Sequence, residues 1–284
     1  MSAGHQVPIR SEPVSRGAAR GNSLWREVRE SQRNPEFWAL SSWLDIIARA
    51  RKSRFGVLWL LAPSIVYVFG LGSVFADMHG RSLGEFAAHI ALGAMVFRTL
   101  MSSVIGSAGV FSASQSFIMD GHMRLTDYLL QALAKSLFDM CMYLPAAAVA
   151  LFMFGVGDLH WEGLLLAPVA LAVIYVNAFW ISVIFSLVGA RFPDLGQLLG
   201  NISIFLFLLT PIIWYPEQMA PDSFRGQMMR FNPFFHFVSI FRAPILGEQI
   251  EPMSYWYIGV MTVAGLALAT FVYRRYARFV PLWI

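Results

Sequence analysis

The chain has 284 residues, of which 57% are hydrophobic and only 13% charged. Soluble domains carry about 25% charged residues, so this balance excludes an ordinary soluble enzyme and defines an integral membrane protein. The formal net charge of +4 is concentrated in a few segments, which fits membrane orientation and not nucleic-acid binding.

Residues 1–36 are polar, rich in Ser, Gly, Pro and Arg, and lack the apolar core of a signal peptide; they are expected to form a disordered cytoplasmic tail. The composition changes at Phe37. Phe37, Leu40, Trp43, Leu44 and Ile47 fall on one helical face, with Ser41, Ser42, Asp45 and Arg49 largely opposite. That pattern predicts an interfacial amphipathic helix, with a short core-packed helix as the alternative. Arg49, Arg51, Lys52 and Arg54 then form a basic stop.

Apolar length predicts six spans, at residues 55–76, 86–107, 128–154, 164–188, 198–215 and 255–273. The segments on one side of this arrangement hold fifteen Lys/Arg and those on the other hold four. Retention of positive charge inside places both termini in the cytoplasm. Residues 37–284 thus read as one all-α transmembrane domain. Between the fifth and sixth spans, residues 232–244 are apolar but would reach only about 18 Å as a helix, against about 30 Å of hydrocarbon. Such broken, proline-bounded segments persist at membrane depth only when packed in protein or lining a cavity.

Two cytoplasmic loops remain. Residues 112–127 mix Phe117, Ile118, Met119 and Met123 with polar residues, including Asp120. They read as a short amphipathic helix suited to docking on a soluble partner, or as a plain solvated turn. The other loop is the charged knot from Arg191 to Asp194.

Several chemistries are absent. Neither Lys52 nor Lys135 follows a glycine as a phosphate-cradling loop requires, so ATP is not bound and hydrolysed here by that route. The six histidines show no metal-ligand spacing, and there is no GxSxG turn for a nucleophilic serine. Cys141, the single cysteine, lies in an apolar run and reads as an inert buried thiol. Asp120 and Asp127, seven apart beside one membrane face, are thin support for an intramembrane enzyme such as a glycolipid transferase.

Two charges fall near mid-bilayer. Arg98 lies about 18 Å into the second span from outside, and Asp139 about 16 Å into the third from inside, at helical rise. A lone charge at that depth costs several kcal/mol, so pairing or a wet cavity is expected. The pair reads either as a polar patch on a substrate pathway or as an interhelical ion pair fixing packing; Lys135, one turn below Asp139, could also pair with it. Trp180, Trp214, Tyr215 and the cluster Phe231, Phe234, Phe235, Phe237 and Phe241 could stack on sugar rings, although Trp214 and Tyr215 also sit where an interfacial aromatic belt falls.

From residue 37 to the end, the chain resembles the membrane subunit of bacterial ABC-type exporters of surface polysaccharide, the permeases that move O-antigen, capsule or teichoic acid. The carriers of the likeness are GVLWLLAPS (56–64), ARFPDLGQLL (190–199), TPIIWYP (210–216), NPFFHFVSIFRAPILG (232–247) and the closing ARFVPLWI, in that order on a six-span frame. The chain departs from the family pattern at Ser53-Arg54-Phe55-Gly56, where a Tyr and Ser-Leu-Gly are usual, and at Arg98, where an apolar residue is usual.

The resemblance implies a homodimer working with two copies of a separate nucleotide-binding ATPase, which holds the ATP and Mg while this chain binds no cofactor. It implies contact with that ATPase through the interfacial helix (Trp43), the 112–127 loop (Phe117, Ile118, Met119, Asp120) and the knot (Arg191, Asp194). It implies a place in the bacterial inner membrane, re-entrant helices after Pro216 and a lipid-linked glycan as substrate. Arg98, Asp139, Trp180, Trp214, Tyr215, Phe234, Phe235, Phe237 and Arg242 are the candidate pathway residues. A drug or small-lipid exporter of the same wider class is the alternative.

Overall fold

A computed structural model describes residues 23–51, 57–121, 123–155 and 157–284, and every regular element among them is helical. The expected junction at Ser53–Gly56 lies outside the described residues, as do residues 1–22 of the expected tail. The rest of that tail departs from the expectation of disorder. Leu24–Arg33 forms a helix, α1, burying Leu24, Val28 and Ser31 along one stripe. Tyr273 Oη donates to Glu27 (2.6 Å), Arg124 Nε donates to Glu30 (3.0 Å), and the Ser31 and Thr126 hydroxyls pair at 2.7 Å. A three-residue stripe is invisible in average composition, yet it suffices once two other helices supply the opposite wall.

Helix α2 (Glu36–Arg51) forms where the amphipathic helix is expected, turned in an instructive way. Leu40, Trp43 and Leu44 face outward, whereas Ser42 is buried and donates to the Gln131 carbonyl (3.3 Å). Lys135 pairs with Asp45 of α2 at 2.5 Å, not with Asp139 as the sequence spacing allowed. An apolar face turned outward and a polar face turned inward is the reverse of a soluble amphipathic helix, and suits a hydrocarbon surround.

The first span is irregular. Helix α3 (Val57–Ile65) contains Pro63 and passes into a π-helical segment (Val66–Leu71) before α4 (Gly72–His79). Proline removes a backbone donor and crowds the preceding turn, and a widened π turn relieves that crowding. The third span breaks similarly, into α7 (Leu125–Cys141) and α8 (Leu144–Phe154), with Pro145 opening the second piece. The Ser64 hydroxyl donates to the Met142 carbonyl at this break (3.1 Å), so the two irregular spans support each other.

Helix α5 (Leu83–Ala113) is the hub. A capping box starts it: Ser82 Oγ accepts from the Glu85 amide and the Glu85 carboxylate accepts from the Ser82 amide. Its residues from Phe86 to Phe97 are buried, and α4, α7, α8, α9 (Trp161–Arg191), α10 (Leu195–Leu209) and α12 (Pro233–Leu246) all pack against it. Arg124, Arg191, Arg274 and Arg275 gather at the same ends of their helices, here termed the basic end; the opposite end is the far end.

Five helical stretches are long and apolar enough to cross a membrane: Leu58–His79, Leu83–Ala113, Leu125–Phe154, Trp161–Arg191 and Pro252–Trp283. The expected span at 198–215 is shorter, because α10 ends at Leu209. Pro211 disfavours helical backbone at Thr210, which is extended (φ −85°, ψ 132°), and the Trp214 indole donates to the exposed Leu208 carbonyl (3.0 Å). Helix α11 (Phe224–Phe231) and α12 then form a hairpin about Asn232, before α13 (Pro252–Tyr276). Asn232 Oδ1 caps α12 through the Phe234 amide, while its Nδ2 donates to Thr210 (2.8 Å). The hairpin tip reaches the middle of α5, where the Phe234 and Phe97 rings lie 5.0 Å apart. Gly163 of α9 lets the other end of α12 approach closely: a Cβ there would lie 1.8 Å from the Pro244 carbonyl oxygen.

Candidate functional site

Arg98 sits at the midpoint of α5, about 22 Å from either end at helical rise. It is exposed in a run of α5 that is otherwise buried. Its guanidinium lies 4.5 Å from the centre of the Tyr67 ring and 5.9 Å from that of Tyr143. Both tyrosines come from the irregular parts of their spans, the π segment and the α7–α8 break, where the side-chain register departs from a regular helix.

These groups line a cavity of about 520 Å³ with Asp139, Thr99, Ser102, Ser203 and Phe207. Ser102 and Asp139 also line a second cavity, of about 740 Å³, running toward the basic end between α2, α5 and α7. Along α5 its wall is Ser102, Gly106, Gly109 and Ala113; the facing wall offers Asp45, Gln131, Lys135 and Ser136. The two spaces adjoin at Ser102 and Asp139, and together they make a groove from Phe117 at the basic end to Arg98 at mid-helix, with polar groups set in a largely apolar wall. Small residues on α5 make the width, because side chains there would fill it. Among the described residues no Arg98–Asp139 ion pair lies within 4 Å; the two charges share a wall instead of neutralising each other.

At the far end the charges are arranged differently. Arg242 of α12 is buried, donating from Nε to Glu248 (2.9 Å) and from Nη1 to the Pro211 carbonyl (2.7 Å). His89 of α5 places Nδ1 3.0 Å from the second Glu248 oxygen, and Nε2 3.1 Å from both Arg242 Nη1 and the Trp214 carbonyl oxygen, which ties Trp214 into the same cluster. Burial pushes the Glu248 carboxyl up, but Arg242 and His89 outweigh it and hold the group at about 2. Tyr215 packs 4.1 Å from the His89 ring and carries Arg81 over its own face at 4.1 Å. A second brace joins α12 to α13: His236 accepts from Ser254 (2.9 Å) and donates to the Arg230 carbonyl (2.8 Å), and Arg230 forms a two-point pair with Glu251.

The structure therefore divides the candidate pathway residues. Arg98 and Asp139 line the groove. Trp214, Tyr215 and Arg242 belong to the far-end clamp. Phe235 is buried in the core. Trp180, Phe234 and Phe237 line a separate apolar cavity of about 210 Å³. Trp180 also donates to Asn177 (2.8 Å), which in turn bonds Thr262 of α13 (2.8 Å), and its indole occupies the space opened by Gly265.

The candidate coupling residues divide likewise. Helix α6 (Gln115–Asp120) ends at Gly121, whose φ of +83° supplies the left-handed stop. Phe117, Met119 and Asp120 point outward, whereas Ile118 is buried among Leu125, Leu187 and Val280. Ile118 thus anchors α6, and the apolar surface presented outward is Phe117 and Met119. Trp43, Arg191 and Asp194 are exposed. The pattern reading missed His89, Glu248, Tyr67 and Tyr143. The histidine survey looked for metal spacing, and Glu248 carries no local signal beyond following the left-handed Gly247.

A bundle of long apolar helices with one polar groove and a broken, braced hairpin at the opposite end defines a polytopic transport protein. Residues 35–246 match the ABC-2 type transporter membrane family, and the chain belongs to that family. It is a membrane subunit of an ABC transporter, a class whose ATPase is usually a separate subunit. No curated protein matches the chain.

Proposed function

We propose that this chain is the permease of an ATP-driven exporter that moves a lipid-linked surface polysaccharide, O-antigen or capsule, across the bacterial inner membrane. The observation that carries the reading is the groove. It opens toward the basic end, contains charges and hydroxyls that do not suit a hydrocarbon-facing surface, and is flanked by apolar helices that an acyl anchor can follow. An amphiphile with a polar chain and a lipid tail matches such a wall. The ordered sequence segments that resemble polysaccharide permeases support the same substrate class.

In this reading two copies face each other across their grooves, and α10 completes a sixth membrane crossing together with the turn that follows it. The hairpin of α11 and α12 is re-entrant and forms the outer lip of the exit. Two copies of a separate ATPase, carrying ATP and Mg, grip Phe117 and Met119 together with α2 near Trp43 and the Arg191–Asp194 knot. Closure of the ATPase on ATP rocks the rigid spans about the groove.

The test is deletion of the gene, followed by quantification of surface polysaccharide and of lipid-linked glycan retained on the cytoplasmic face, with complementation. Loss outside with accumulation inside is expected. Unchanged surface glycan with altered sensitivity to toxic compounds overturns the reading in favour of a drug or small-lipid exporter.

A further inference from the structure

We propose that Arg98 is an anion-binding, specificity-determining residue of the groove, taking a phosphate or carboxylate carried by the substrate at mid-membrane. The inference rests on the exporter reading for the nature of the substrate and on geometry for the site.

A guanidinium has two faces and an edge bearing five donors in fixed directions. In this cavity the guanidinium carbon lies over the Tyr67 ring at 4.5 Å, and Tyr143 flanks the group at 5.9 Å. The aromatic rings hold the guanidinium without an opposite charge, and with Tyr67 alone among the described residues hydrogen-bonding it, donors are left for a ligand. No carboxylate lies within 4 Å of it among the described residues. By contrast Arg242 spends its donors on Glu248, His89 and Pro211. The ionised group costs least at mid-membrane where the cavity is wet and the charge has a use.

The surroundings also define the ligand. Thr99, Ser102 and Ser203 line the same cavity but donate their hydroxyl protons to the Met95, Thr99 and Gly200 carbonyls, so Arg98 is the donor an anion would find there, and Phe97, Phe207, Leu60 and Ile204 supply apolar wall. The cavity adjoins the second one at Ser102 and Asp139, and apolar wall continues beside both. That combination favours an acidic group carried by a larger, amphiphilic molecule over a small free anion. Two sources share this chemistry: a phosphate at the lipid anchor, or a carboxylate on the glycan.

Full-length chain in nanodiscs of uncharged phosphatidylcholine is titrated with farnesyl diphosphate, farnesol and a glucuronic acid oligomer, following binding calorimetrically. Wild type is expected to bind at least one anionic probe and to prefer farnesyl diphosphate over farnesol if the anchor is the source. Binding of the glucuronate oligomer alone assigns the charge to the glycan. Arg98→Gln is expected to weaken the anionic probe about tenfold or more, the equivalent of about 1.4 kcal/mol. Arg98→Lys, which keeps the charge, is expected to retain most of the affinity, and Arg81→Gln at the far end all of it.

Equal binding of farnesyl diphosphate by wild type and Arg98→Gln overturns the proposal, as does equal binding of farnesyl diphosphate and farnesol without glucuronate binding, or failure of wild type to bind either anion. The deletion phenotype fails or stands separately. Charge-selective, Arg98-dependent binding with unchanged surface glycan retains the subsite and removes the polysaccharide.

Discussion

Arg98 belongs to the middle of helix α5 and Arg242 packs beside its far end, and the protein treats them in opposite ways. Arg242 is enclosed, and its Nε and Nη1 meet Glu248, His89 and the Pro211 carbonyl. Arg98 faces space, oriented by aromatic faces and not by a countercharge. A satisfied buried charge fixes one arrangement of helices; an oriented but unneutralised one is available to something that passes. Depth in the membrane alone does not tell the two apart, because the difference is made by what neighbouring helices bring alongside.

The sharpest way to break this comparison is to remove the enclosed arginine. Arg242→Ala strands the Glu248 carboxylate and one Pro211 acceptor, and is expected to cost about 3–5 kcal/mol, the range for breaking a buried pair from one side. Thermal unfolding in detergent should show this loss; an unchanged midpoint would mean that the clamp contributes no stability.

The same contrast exists within α6, between the enclosed Ile118 and its outward neighbours. Ile118→Ala should cost about 2–5 kcal/mol through the cavity left behind. Phe117→Ala with Met119→Ala should stay within about 0.5 kcal/mol, as exposed substitutions do, while uncoupling transport from ATP hydrolysis. Measuring stability and export on the same variants separates anchor from contact surface. Export at the wild-type level by the double variant would place the ATPase contact elsewhere.

Acid provides a graded test of the clamp. Glu248 is held at about 2, below the ordinary 4.5. A carboxylate depressed in the folded state contributes stability that is complete above its ordinary value and is lost as pH falls from about 4.5 toward 2. A stability profile recorded between pH 7 and pH 2 should therefore be flat and then fall across that window, and Glu248→Gln should flatten the fall. An identical acid profile for the variant would assign the transition to other carboxylates.

The smallest effect expected is at the basic end. Lys135→Met removes the pair with Asp45, whose partners are both partly exposed, and should cost below about 1 kcal/mol. A larger loss, read from the unfolding midpoint, would mean that α2 depends on this contact to stay docked.

Much of the frame was legible in the chain. Apolar runs and the prolines that bound them are local signals, because each concerns residues within a short stretch of chain. They gave α2, the long helices and the short apolar segment at 232–244. The same local reading lost α1, since Leu24, Val28 and Ser31 need walls from α7 and α13 to form a buried stripe. It extended the fifth span past Leu209, since hydropathy does not register the turn that Pro211 imposes.

The candidate site was legible in its charges and not in its geometry. Arg98 and Asp139 stand out in any apolar sequence, as costly groups in the wrong solvent. Whether they pair was beyond the sequence, because Tyr67, Tyr143 and Ser203 reach the same cavity from three other helical segments. Likewise Arg242 read as a candidate pathway residue until His89, 153 positions away, closed over it. By itself the sequence determined the solvent, the helical class and the placement of most long helices, because these follow from composition and apolar length. Only the tertiary structure decided which charges are spent on stability and which are left facing the groove, because that depends on partners supplied by distant parts of the chain.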